Sequence, residues 1–192
     1  IALTNCRQKA AKIIEQDMKE KLVPMGIPNI QFQIAMDSKP LASDGADKVE
    51  VLFSANKNSP LQPIAQVASG GEIARVMLAL KAMISGAVKL PTIIFDEIDT
   101  GVSGKVAQQM AFVMQEMGNK NKQVISITHL PQIAALGSTH YKVEKRDTEK
   151  GTTSRLRQLS EEERVTEIAQ MLSGTDISEA ALMNARELLK IN

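Results

Sequence analysis

Two carboxylates stand side by side at the end of an apolar run: in "TIIFDEID", Asp96 and Glu97 follow Ile93, Ile94 and Phe95. A short apolar run of this kind predicts a strand buried in a parallel sheet, and the carboxyl edge of such a sheet is where open α/β folds bind ligands. Successive strand residues face opposite ways, so the two acids are expected to play different roles. One carboxylate suits Mg²⁺, which keeps several waters and takes only one or two protein carboxylates beside substrate phosphates. The other can orient or deprotonate an attacking water. Read alone, the pair is more simply two loop acids closing a strand.

A second stretch, "VASGGEIARVMLALK" at 67–81, puts two glycines at the start of a long helical pattern. Ser69 and, three residues later, Glu72 fit a capping box, with the serine as N-cap. That accounts for the serine and the glutamate but not for Gly70 and Gly71, whose bare N–H groups lie in the first turn at the positive end of the dipole. Such an end suits a phosphate, and close approach of a ligand is one reason to accept the backbone entropy of two glycines. Tight packing of the helix against a neighbouring strand is an equally good one. His129 ends a second apolar run, "KQVISITH". It is either a satisfied core histidine or, if its strand neighbours the first, an imidazole within reach of the same phosphate. His140 has no such context and is expected to be structural.

The elements that must position these groups follow from periodicity. Residues 1–22 place Leu3, Cys6, Ala10, Ile13, Ile14, Met18 and Leu22 on one face of an amphipathic helix, which "VPMGIPN" then breaks. "IQFQIAMD" and "KVEVLFSAN" alternate as half-buried strands, joined by the polar loop "SKPLASDGAD" as an antiparallel pair. From Ala68 onward helices and strands alternate: helix from Gly70 to Ser85, strand "TIIFDE", helix from Gly104 to Met117, strand "KQVISITH". "HYKVEK" and "TSRLRQL" then form a small strand pair, and helices cover 161–172 and 178–189. The fold class is α/β, with a mostly parallel sheet flanked by helices and a small antiparallel strand pair.

Composition narrows the function. The 192 residues suit one domain, and 23 Lys+Arg against 22 Asp+Glu leave little whole-molecule field to attract a polyanion. The segment "YKVEKRDTEKGTTSRLR" interleaves acids among its basic residues and reads as a solvated strand pair rather than a nucleic-acid surface. One tyrosine and no tryptophan leave little for base stacking. The single cysteine, Cys6, excludes an internal disulfide and suits a reducing cytoplasm. No apolar run reaches the length of a membrane span. The first residue is Ile1 instead of methionine, which predicts a piece of a longer protein.

"ASGGE", "TIIFDEID" and "SITH", in this order, resemble the signature, Walker B and switch-histidine motifs of the ATP-binding-cassette ATPases. Within that superfamily, "VASGGEIARVMLALK", "IIFDEIDTGVSG" and "THLPQIAALGSTHYKVEK" resemble the RecN-type DNA repair family, relatives of the SMC proteins. The resemblance implies the carboxyl-terminal half of an ABC/SMC-type P-loop ATPase head at 23–192, preceded at 1–22 by the end of a returning coiled-coil arm. It implies ATP and Mg²⁺ as cofactors, Asp96 supporting the metal, Glu97 positioning the hydrolytic water and His129 contacting the γ-phosphate. Ser69, Gly70, Gly71 and Glu72 would meet ATP held by a second head in a homodimer. The loop after Walker B departs from the family pattern in carrying Ser103 where many members have an aspartate. The implied partners are the amino-terminal half of the same head, a second head, and DNA met by the full-length protein, with no membrane; the implied place is the cytoplasm, at the nucleoid.

The chain has no G-x-x-x-x-G-K-[ST] loop, since "GVSGKV" lacks both the spacing and the hydroxyl residue. Without that loop nothing cradles the β- and γ-phosphates, so the chain alone is expected neither to bind ATP tightly nor to hydrolyse it. A transporter-type ATPase subunit and a non-catalytic interaction module of the same fold are the alternatives.

Overall fold

A computed structural model describes residues 1–66, 70–85, 90–119, 122–148, 151–174 and 176–191. Helix α1 spans Ala2–Leu22, strands β1 and β2 span Gln31–Ala42 and Gly45–Ser54, and β3 is the short Gln62–Pro63. After a 3-10 turn come α2 (Gly70–Ile84), β4 (Thr92–Asp96), α3 (Gly104–Gly118) and β5 (Gln123–Ile127). Helix α4 (Pro131–Leu136), strands β6 (Tyr141–Thr148) and β7 (Gly151–Gln158), and helices α5 (Glu161–Ser173) and α6 (Glu179–Leu189) complete the order. Two compact units result: Ile1–Ile93 with Ile98–Val124, and Ile94–Glu97 with Ile125–Asn192.

In the first unit, β1, β2 and β3 form an antiparallel sheet on which α1 packs, and α1 and α3 both pack on α2. Met18 and Leu22 of α1, Phe53 of β2, Leu78 of α2 and Met110 of α3 are almost wholly buried. Each such side chain stabilises the unit by about 1.5–3 kcal/mol. Gly26, at φ +84°, lets the chain turn out of α1 where a Cβ would lie 2.8 Å from Val106 Cγ2. Lys122 donates to the carbonyl of Ser85, satisfying a terminal acceptor of α2 next to the start of β5.

The hairpin β1–β2 is longer than its alternation predicts. The segment expected as a polar loop is strand almost to its tip, because α1 holds it there. Thr4 Oγ1 and Arg7 Nη1 donate to the Asp47 carboxylate at 2.9 and 2.8 Å, and Arg7 Nη2 donates to the Asp44 carbonyl at 2.6 Å. Gly45, at φ +100°, leaves room for Leu3 and Arg7. Further along, Glu15 Oε1 accepts from the Ile34 N–H at 2.7 Å on the outer edge of β1.

The face of α1 predicted to be buried divides in two. Ile14 is half-buried and Met18 and Leu22 are buried, but Leu3, Cys6 and Ala10 are exposed and Ile13 is 70% exposed. The buried stripe instead runs through Ala11 and the half-buried Thr4 and Arg7, since the Asp47 carboxylate draws polar residues to the interface.

In the second unit α4, α5 and α6 share a core of Ala135, Val165, Ile168, Ala169, Ala181 and Ala185. Ser160 and Glu163 make a reciprocal capping box at the start of α5. Helix α4 was not predicted; Pro131 at its first position was the available signal. His140 is structural, as expected: its Nε2 meets the Ala134 carbonyl at the end of α4. Burial pushes its pKa below the ordinary histidine value, against the hydrogen bond to Ala134. Strands β6 and β7 pair antiparallel from Tyr141↔Gln158 to Thr148↔Gly151, with Lys142 bonded to Glu167 and Arg157 to Glu163. Among the described residues no helix is long and apolar enough to cross a membrane.

Hydrogen bonds from Arg7 and then Thr4 hold the Asp47 carboxyl below the usual carboxylate range. A depressed folded pKa contributes stability that is present above the unfolded value and lost as pH falls through the folded one. Asp47→Ala is therefore expected to lower the thermal midpoint near neutral pH, with the gap to wild type closing below about pH 4. A gap that stays constant down to acid pH in thermal melts would contradict this role for Asp47.

Candidate functional site

Strands β4 and β5 are paired, and their ends show the pairing to be parallel. The Gln123 N–H donates to the Pro91 carbonyl at 2.9 Å near the amino ends, and the Glu97 N–H donates to the Ile127 carbonyl at 3.1 Å at the carboxyl ends. Within β4, Ile93 and Phe95 are buried while Ile94 and Asp96 are exposed, the alternation a pleated strand requires. Asp96 is thus the last residue of the strand and faces the same side as Ile94.

Glu97 does not continue that alternation. Its backbone turns left-handed at φ +48°, and apart from Lys190 at the end of α6 it is the only non-glycine residue with positive φ among those described. The chain leaves the sheet at Glu97, and both acids are exposed. A non-glycine residue in this region costs roughly 1–3 kcal/mol, and such strain persists where the surroundings fix it. Here the bond to Ile127 does so.

Two residues beyond Ile127 stands His129, also exposed. Thr128 Oγ1 accepts from the Leu130 N–H at 3.0 Å, so the histidine sits in the middle of a short side-chain-closed turn. Leu130, extended at φ −96° and ψ 122°, is the N-cap of α4, and Pro131 follows at its first position. Asp96, Glu97 and His129 all belong to one unit and emerge from the carboxyl ends of adjacent strands.

The remaining predicted residues lie in the other unit. Ser69, and with it the expected capping box, lies outside the described residues. Gly70, Gly71 and Glu72 form the first turn of α2, as predicted. The two glycines differ. A Cβ on Gly70 would have nothing described within 4 Å, whereas one on Gly71 would meet the Thr100 carbonyl at 3.4 Å. A Cβ on Gly71 would thus come just into van der Waals contact with the loop, while Gly70 has no described atom beside it. Ser103 is the exposed N-cap of α3, but its hydroxyl caps no N–H there.

Asp99 was not singled out from sequence. It is buried to 1% exposure in the loop after the acids, and its carbonyl accepts from the Val102 N–H at 3.2 Å. The third acid of "DEID" was its only signal. Among the described residues no cluster of three or more His, Cys, Asp or Glu could hold a metal by itself. A single exposed carboxylate at Asp96 fits only a cation that keeps most of its waters and shares its ligands with phosphate, the habit of Mg²⁺.

No protein-family model matches the chain. Among solved structures it is similar to an Smc head domain with a coiled coil and joint from Pyrococcus yayanosii, with a TM-score of 0.66 and 22% identity over 88% of this chain and 31% of that one. At that identity the likeness is one of fold, and it defines the class: the chain has the α/β fold of an SMC head domain. Among curated proteins it is 40% identical to the DNA repair protein RecN of Halalkalibacterium halodurans, over 99% of this chain and 34% of the relative. It is 35% identical to RecN of Haemophilus influenzae, again over 99% of this chain and 34% of the relative. The chain belongs to the RecN family. It spans about a third of the length of the curated relatives it matches.

Two substitutions separate packing from function. Gly70→Ala is expected to leave stability unchanged or to raise it by up to about 1 kcal/mol, since a helix gains from alanine where nothing obstructs the methyl group. A large loss in thermal melts would mean Gly70 is needed for packing. Glu97→Gly is expected to raise the thermal midpoint relative to Glu97→Gln by relieving the left-handed strain, a net gain of up to about 1 kcal/mol once the added chain entropy is counted.

Proposed function

We propose that the chain is the carboxyl-terminal part of an SMC-like ATPase acting in DNA double-strand break repair and recombination. It would supply the signature, Walker B and switch-histidine groups for ATP binding and hydrolysis between two heads. The observation that carries this is the bond between the Glu97 N–H and the Ile127 carbonyl, which sets an acid and a histidine at one edge of a parallel strand pair. Ligands in α/β sheets bind at that edge.

In this reading Asp96 supports Mg²⁺ through its water shell, Glu97 orients the attacking water and His129 contacts the γ-phosphate. When bound, the metal neutralises charge on the β- and γ-phosphates. Gly70, open on its outer side, and its neighbours Ser69, Gly71 and Glu72 meet ATP held by a second head. The uncapped hydroxyl of Ser103 stands where the loop after Walker B would face that partner.

Exposed apolar surface supports the other partners. Ile94, Ile125 and Ile127 are 60%, 41% and 52% exposed on the parallel pair, although parallel sheets are ordinarily covered on both faces. The amino-terminal half of the same head, carrying the phosphate-binding loop, is the cover we propose. On α1 the exposed Leu3, Cys6, Ala10 and Ile13 recur at intervals of three and four, the seam of a coiled coil. Residues 1–22 are accordingly the end of a returning arm, and 23–192 the carboxyl-terminal lobe of the head. DNA is met by the full-length protein, in the cytoplasm at the nucleoid.

The test is ATP turnover by the full-length protein, with and without DNA, beside its Glu97→Gln variant and beside the chain alone. Turnover should respond to DNA and fall by roughly 10²-fold or more in the variant, and the chain alone should neither turn over nor bind ATP at micromolar concentration. A variant as fast as wild type would remove Glu97 from the chemistry. A full-length protein inert under every condition would favour a non-catalytic interaction module.

A further inference from the structure

The residues around His129 show how its backbone is held. On its amino side Ile127 is fixed by the bond its carbonyl accepts from the Glu97 N–H at 3.1 Å. On its carboxyl side Leu130 is fixed as the N-cap of α4: its carbonyl accepts from Ile133 and Ala134 at 3.1 and 3.0 Å, and the proline after it disfavours helical backbone. Between these two anchors the chain changes from strand to helix within three residues. The hydrogen bond that closes the gap is from the Leu130 N–H to Thr128 Oγ1, at 3.0 Å across the histidine. His129, which this turn carries, is itself exposed.

We infer that Thr128 is a positioning residue for His129: by accepting the Leu130 N–H, its hydroxyl locks the turn that aims the imidazole. This rests on the ATPase reading of His129 and adds to it a residue that need not touch nucleotide. Valine has the shape of threonine without the acceptor, and serine has the acceptor without the methyl group. Removing the acceptor leaves the Leu130 N–H without its side-chain partner and frees the turn, so the histidine reaches its working position in only part of the population. Such a loss of pre-organisation lowers the rate of the chemical step and leaves ground-state binding in place.

The experiment compares full-length wild type, His129→Ala, Thr128→Val and Thr128→Ser in steady-state ATP turnover, together with hydrogen exchange of the 128–136 segment. Thr128→Val should lose roughly 10-fold in kcat with KM for ATP within about 2-fold of wild type. Thr128→Ser should restore kcat to within about 2-fold. Exchange across 128–136 should be faster in Thr128→Val than in wild type or Thr128→Ser. If His129→Ala turns over like wild type, or no form turns over, the reading of the histidine fails and this one with it. If His129→Ala is impaired while Thr128→Val is not, if serine fails to rescue, or if the loss lies in KM, only the role of Thr128 is overturned. Unchanged exchange in Thr128→Val overturns it as well, because the hydroxyl would then not be holding the turn.

Discussion

The parallel pairing of β4 with β5 is the constraint on which the arrangement of the candidate site depends. Parallel strands cannot be joined by a tight turn, so the chain must cross back between them, and α3 makes that crossing. Both strands then end at the same edge. The last backbone bond of the pair, from Glu97 to Ile127, decides which residues leave the sheet together. A shift of one residue in β4 would turn Ile93 and Phe95 outward and move the acids relative to the end of β5. Burial of two side chains in a five-residue strand therefore fixes the position of two carboxylates that contribute nothing to the core.

The helix that begins with Gly70 meets the loop after those carboxylates through backbone. Gly71 lies against the Thr100 carbonyl, which an added Cβ would meet at 3.4 Å, just in van der Waals contact. Gly70 has no described atom within 4 Å of such a Cβ. Adjacent glycines in one helical turn thus have different surroundings, one in contact with a loop carbonyl and one with no described atom beside it.

Much of this was legible in the sequence for simple reasons. The apolar runs at 92–96 and 123–127 have one dominant period and no competing helix pattern, and the acids and histidine mark their ends directly. Helix α4 was missed because six residues carry less than two turns of periodicity. The left-handed backbone at Glu97 was not legible: strand alternation does not pass through it, and nothing in local composition announces φ +48° at a glutamate. The turn at Thr128 was not read from "ITHLP", although a threonine two residues before a helix N-cap is a pattern that closes such turns. Tertiary polar contacts were the least legible. No periodicity predicts that Asp47 draws Thr4 and Arg7 inward and so rotates the buried face of α1.

That rotation also explains the length of the hairpin. Helix α1 has 21 residues, which is about 30 Å of rise. At its carboxyl end Met18 and Leu22 are sealed in the core, while its first turns would have only solvent around them if β1 and β2 stopped where their apolar alternation stops. The strands continue instead, through polar residues, until Asp47 reaches Thr4 and Arg7. Glu15 adds a contact partway along by accepting from the Ile34 N–H. A hairpin tip of lysines and aspartates has no hydrophobic reason to be ordered, and a helix of this length has little reason to lie straight. Each supplies the other's missing restraint, with an apolar seal at one end and a half-buried ion pair at the other. The helix is thereby braced by the strands on one side, and its remaining apolar stripe, from Leu3 to Ile13, stays exposed.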